Sequence, residues 1–191
     1  RAGLMAARIE LEDADRALLG WALGLCNGLV ARLFTPDQAE VMDRIREEEG
    51  NLSDLLHRAI DEREPATVVT LMATIGGFWS IEGSHVTVIT LGEAVAEVLA
   101  DFRPRPEQRD QTRSVLSLLV ANSMIITGSP VGASLSMLRD LRDGPGDPRI
   151  AAVTKLVLAL ADAGAGRLSA GLEEMSRCDE PVLARLALQS S

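Results

Sequence analysis

Aromatic residues are almost missing from this chain: two Trp, three Phe and no Tyr among 191 residues. Ligand pockets and interface anchors draw heavily on aromatic side chains, so a pocket rich in aromatics is not expected. Histidine is as scarce. His57 and His85 lie far apart, and neither a His-x3-His nor a Cys-x2-Cys spacing occurs. A metal centre needs three or four converging ligands, so no metal and no cofactor is expected. Cys26 has only Leu25, Asn27 and Gly28 beside it, which supply neither a base nor a positive charge to activate a nucleophile. It reads as buried filler, and Cys178, between Arg177 and Asp179, as more exposed. Both fit reduced cysteines of a cytoplasmic protein, with a disulfide between them left open.

Basic charge is also short. Nineteen Lys and Arg stand against 28 Asp and Glu, a formal net charge of −9, and no basic stripe stands apart from its acidic neighbours. Direct nucleic-acid binding needs clustered cations, so this segment is not expected to provide it. The longest apolar runs, 66–81 and 115–126, are interrupted by Thr, Ser, Gly or Asn. They fall short of the roughly 20 residues that span a bilayer, and read as helices buried in protein. Residues 1–15 carry no secretory signal. The chain begins at Arg1 and breaks off inside an apparent repeat at Ser191, so a longer parent protein is expected.

What the sequence does have is helix punctuation at short intervals. Thr35-Pro36, Gly50-Asn51, Glu64-Pro65, Gly83-Ser84, the Arg103–Pro106 stretch, Ser129-Pro130, Gly144-Pro145-Gly146-Asp147-Pro148, Gly164–Gly166 and Asp179-Glu180-Pro181 all mark stops or caps. Between them apolar residues recur at i, i+3, i+4 and i+7, as in Leu52, Leu55, Leu56, Ala59 or Val153, Leu156, Val157, Leu160. The reading is ten helices: 13–33, 36–49, 51–63, 65–82, 84–102, 106–127, 130–143, 148–163, 166–177 and 181 onward. Val68–Leu71 and His85–Leu91 are β-branched enough to pass for strands. Each lies in a longer segment of helical period, so helix is expected for both.

Pair openings at 65, 106, 148 and 181 repeat at intervals of roughly 30–45 residues, the mark of helix-pair solenoids. The expected fold is all-α, with antiparallel helix pairs stacked as a tetratricopeptide (TPR)-like right-handed superhelix. In such a stack each hairpin's apolar face is covered only by its neighbours. Residues 1–63 are expected to form an N-terminal helical region leading from an upstream module, and 64–191 the repeats.

Three features carry candidate chemistry. Gly76, Gly77 and Trp79 stand mid-helix, where two glycines cost about 1 kcal/mol each relative to Ala. They point either to close approach of a neighbouring helix or to the floor of a groove where a ligand touches backbone. Glu47-Glu48-Glu49 reads as the solvated end of a surface helix, with a docking face as the alternative. Gly144–Pro148 lacks the Lys and Ser/Thr of a phosphate cradle and reads as a flexible connector. No catalytic residue is expected, and the chain is not expected to be an enzyme.

From Arg16 to Leu99 a further order is visible: Arg16-Ala17, Trp21-Ala22-Leu23, Thr35-Pro36-Asp37-Gln38-Ala39, Asp43-Arg44-Ile45, Glu47-Glu48-Glu49, Asn51-Leu52, His57-Arg58-Ala59, Phe78-Trp79 and Gly83. This stretch resembles the helical region that follows the nucleotide-binding and winged-helix modules of AfsR-type and MalT-like regulators, signal-transduction ATPases of the STAND class. Their pattern around the third helix runs acidic-x-x-Asp-Asn-Leu-Arg-x-Ala-Leu; here Gly50 and Ser53 replace the Asp and the Arg. The resemblance implies a sensor arm of a bacterial transcriptional regulator that receives a protein partner or small-molecule effector. A helical receptor with a small-molecule pocket around Trp79 and Trp21, or a structural spacer, remain the alternatives.

Overall fold

The computed structural model describes residues 2–128 and 132–163, with side chains from Asp13 onward. Every regular element among them is helical: α1 (Ala2–Val30), α2 (Gln38–Asp61), α3 (Pro65–Ile81), α4 (His85–Leu99), a 3-10 turn at Pro106–Gln108 running into α5 (Arg109–Thr127), α6 (Gly132–Leu141) and α7 (Pro148–Ala163). The helices expected at 166–177 and 181 onward lie outside the described residues. Both β-branched stretches are helical, within α3 and α4. There the threonines turn their hydroxyls back on the helix, Thr70 donating to Ala66 O (3.1 Å) and Thr90 to Val86 O (2.9 Å).

One expected break does not occur. Gly50 and Asn51 sit inside α2, which runs unbroken from Gln38 to Asp61. The apolar stripe Val41, Met42, Ile45, Leu52, Leu55, Leu56, Ala59 continues at helical period past the glycine, and all seven are buried. Gly50 lies on the exposed side, where it costs only about 1 kcal/mol of propensity. Asn51, instead of capping a new helix, donates to Glu48 Oε2 at 2.9 Å. The periodic stripe outweighs the local stop signal.

The chain divides into two compact units, Arg1–Phe78 and Trp79–Ser191. In the first, α1 buries Ala22, Cys26, Leu29 and, just beyond its end, Leu33, spaced i, i+4, i+7, i+11 along one face. Every residue of α3 from Thr67 to Phe78 is buried, in keeping with a helix apolar all round. Its threonines are satisfied. Thr67 donates to Glu64 Oε2 at 3.0 Å, and Thr74 reaches Cys26 O on α1 at 3.3 Å. The Arg46 guanidinium of α2 lies 5.8 Å from the Phe78 ring centroid, within cation–π range.

The second unit is organised around α5, which packs against α4, α6 and α7. Its buried residues include Val115, Leu116, Leu119 and Val120, together with Thr112, Arg113, Ser117, Asn122 and Ser123. A helix covered by three neighbours has to bury polar positions as well as apolar ones, and how α5 does so decides the local chemistry.

Candidate functional site

Arg113 is fully buried, which is costly for a guanidinium unless every donor finds a partner. Here the partners come from the loop between α6 and α7. Nε donates to Leu141 O at 2.8 Å, and Nη2 to Gly144 O at 3.3 Å and Arg142 O at 3.5 Å. Nη1 pairs with Asp110 Oδ1 at 3.2 Å. Asp110, one turn before Arg113, uses its other oxygen to accept the Asp147 backbone N–H at 2.7 Å, and Arg109 donates to Asp143 O. Asp147 in turn accepts the Arg149 N–H at 2.7 Å, capping α7. Its side-chain bond to the Arg149 guanidinium holds the Asp147 carboxyl below the usual carboxylate range. A Cβ on Gly146 would collide with Asp110 Oδ1, so glycine is required where the loop crosses the clasp. Gly144–Pro148 is thus a fastened loop rather than the flexible connector expected. Arg109, Asp110 and Arg113 are not among the sequence candidates; the signal for Arg113 is its helical phase with the buried Leu116 and Val120.

The glycine–tryptophan candidate is placed in the interior. Gly76 and Gly77 are buried, and Trp79 is 4% exposed. A Cβ built on Gly77 would lie 2.7 Å from Leu33 Cδ2, so that glycine lets the chain after α1 approach α3. Of the two expectations for this pair, close approach has a named partner at Gly77. Trp21 lies on α1 in the first unit, 39% exposed.

The remaining candidates are ordinary side chains in satisfied settings. His57 is exposed, its Nδ1 2.8 Å from Ser53 O. His85 is half-buried with Nδ1 2.7 Å from Asn122 Oδ1. The Cys26 thiol is pushed up to about 11 by burial, against a smaller opposing effect of its hydrogen bond with Thr74, and so stays protonated at neutral pH. Cys178 lies outside the described residues. Glu47–Glu49 are mid-helix rather than at a helix end, because α2 continues past Gly50. Arg44 holds Glu47 at 2.8 Å and Glu48 at 3.5 Å. A shallow depression beside Asp43, Arg46 and Glu47 is bordered by the ion pair Arg46–Asp43. Among the described residues no three His, Cys, Asp or Glu side chains stand together to hold a metal, and no helix is long and apolar enough to cross a membrane.

Comparison of the chain with family models, with curated proteins and with solved structures returns no match. The functional reading therefore rests on the helix packing and the surfaces it leaves open.

Proposed function

We propose that this chain is the partner- or effector-receiving arm of a bacterial transcriptional regulator, a non-catalytic stack of TPR-like helix pairs. One observation carries the reading: α5 packs at once against α4, the helix before it in the chain, and against α6 and α7, the two that follow. Such packing of a helix on its neighbours along the chain supports a helix-pair solenoid, in which each pair is completed by those beside it. Helical starts at Pro65, Pro106 and Pro148 keep the roughly 40-residue interval of such arrays. Stacked pairs of this kind form a right-handed superhelix with extended surfaces for a partner. The regulator assignment adds the resemblance over Arg16–Leu99, and places the chain in the cytoplasm beside an ATPase core and a DNA-binding module.

The coding sequence upstream of Arg1 tests this directly. A P-loop and a winged-helix segment are expected there. An upstream region encoding a catalytic domain, or ATP hydrolysis by residues 1–191 alone, contradicts it.

A further inference from the structure

Asn122 is 3% exposed and ties three helices together. Its Nδ2 donates to Ser80 Oγ at 2.9 Å and to Leu118 O at 2.8 Å. With both amide hydrogens so engaged, Oδ1 is the acceptor for His85 Nδ1–H at 2.7 Å. The end of α3, the start of α4 and the last turns of α5 are therefore held at one place in the second unit. Ile81 directly follows Ser80, Val86 directly follows His85, and Ile125 and Ile126 lie one turn beyond Asn122. These four are 38%, 65%, 63% and 48% exposed, and they are half of the eight large hydrophobics exposed among the described residues. Isolated exposed apolar side chains are ordinary, whereas a cluster of them marks a contact surface.

The charge along α4 has one sign. Along α4, Val86, Thr90, Glu93 and Glu97 follow at i, i+4, i+7 and i+11, one above another on a single face, and all four are exposed. Glu93 and Glu97 have no ion-pair partner among the described residues, and α4 contains no Lys or Arg. The nearest cations in sequence, Arg103 and Arg105, lie past the helix end; Arg105 is paired with Glu107 at 3.4 Å.

We propose that this surface docks a basic amphipathic helix of a partner protein, its apolar side chains seated on Ile81, Val86, Ile125 and Ile126, and its Lys or Arg side chains running along Glu93 and Glu97. The inference rests on the interaction-arm reading and supplies its face and partner chemistry. Nucleic acid and anionic membranes are repelled by the same carboxylates. A second copy of the chain brings a helix with two further carboxylates and no cation. A basic segment offsets the charge, and its apolar face covers the isoleucines in the manner of helix-in-groove recognition.

The test uses the full chain and a fluorescein-labelled synthetic helix with Leu at i, i+3 and i+4 and Lys at i+7 and i+11. A control peptide carries Glu in place of Lys. Fluorescence anisotropy is expected to show saturable binding of the Lys peptide, weakened about tenfold or more by the double variant V86S/I125S and by raising salt from about 0.05 to 0.3 M. E93K/E97K is expected to reverse the preference, losing the Lys peptide and gaining the Glu peptide. All four substituted positions are exposed, so an unchanged helical circular dichroism spectrum accompanies each variant. Absence of saturable binding, equal binding of the two peptides, or affinity unmoved by either double variant overturns the proposal. Those outcomes leave the arm reading standing, because it is decided separately by the upstream coding sequence.

Discussion

The two units solve the same problem, a helix enclosed by its neighbours, in different ways. α3 in the first unit is buried from Thr67 to Phe78 and keeps its polar atoms few and paired, each threonine hydroxyl on a carbonyl or carboxylate. α5 in the second unit buries a whole guanidinium and anchors a distant loop with it. Around it the hydroxyls of Ser117, Ser134 and Thr154 and the Nε of Arg109 are buried without a hydrogen-bond partner among the described residues. An orphaned buried polar group costs about 1–3 kcal/mol. The first unit is thus held by apolar packing, while the second depends on one polar clasp and carries polar groups that give nothing back.

The sharpest way to break this contrast is Arg113→Met. Removing the buried guanidinium leaves the loop carbonyls and the half-buried Asp110 carboxylate without their partner, at a cost of about 3 kcal/mol. Urea unfolding should show a marked loss of stability. Hydrogen exchange should show the Asp147 amide, now protected by Asp110, opening first while α3 stays protected. A loss spread evenly over both units would deny the clasp its local role.

Gly77→Ala probes the other unit. The added methyl meets Leu33 Cδ2 at 2.7 Å, and overpacking of this kind costs about 1–3 kcal/mol. Adding Leu33→Val should recover part of that loss by thermal denaturation. No recovery would mean that the glycine is needed for something other than Leu33.

A smaller pair of substitutions is expected to act with opposite signs. Thr74→Val removes a satisfied hydroxyl and should destabilise by about 1 kcal/mol, whereas Ser134→Ala removes an orphaned one and should be neutral or stabilising by a similar amount. Equal destabilisation by both would erase the distinction between the two cores.

The least effect comes from Cys26. Its pKa is raised in the folded chain from 9.0 to about 11, so folding favours the protonated thiol. Its stabilising contribution is complete below pH 9 and is lost as pH rises through 11, amounting to about 1 kcal/mol at pH 10. Cys26→Ala should flatten that part of the alkaline unfolding profile.

Much of the fold was legible because helices announce themselves locally. The starts near 65, 106 and 148 follow from Pro in the first turn, the last also capped by Asp147, and the β-branched runs are helical because their surroundings have helical period. Gly50 misled because a stop signal on an exposed face is weaker than a stripe of buried residues running past it. The clasp was not legible, since Arg113 meets Leu141, Arg142 and Gly144 only after α6 folds back. Nor was the Asn122 tie: Ser80, His85 and Asn122 are separated in sequence and meet only through their side-chain hydrogen bonds.

The central claim, that this helical stack receives a partner on behalf of a regulator, is most directly tested in the full-length protein. Reporter transcription and DNA binding should be measured with and without residues 85–163. The account predicts that DNA binding persists while the response to the inducing signal is lost; an undiminished response without those residues would contradict it.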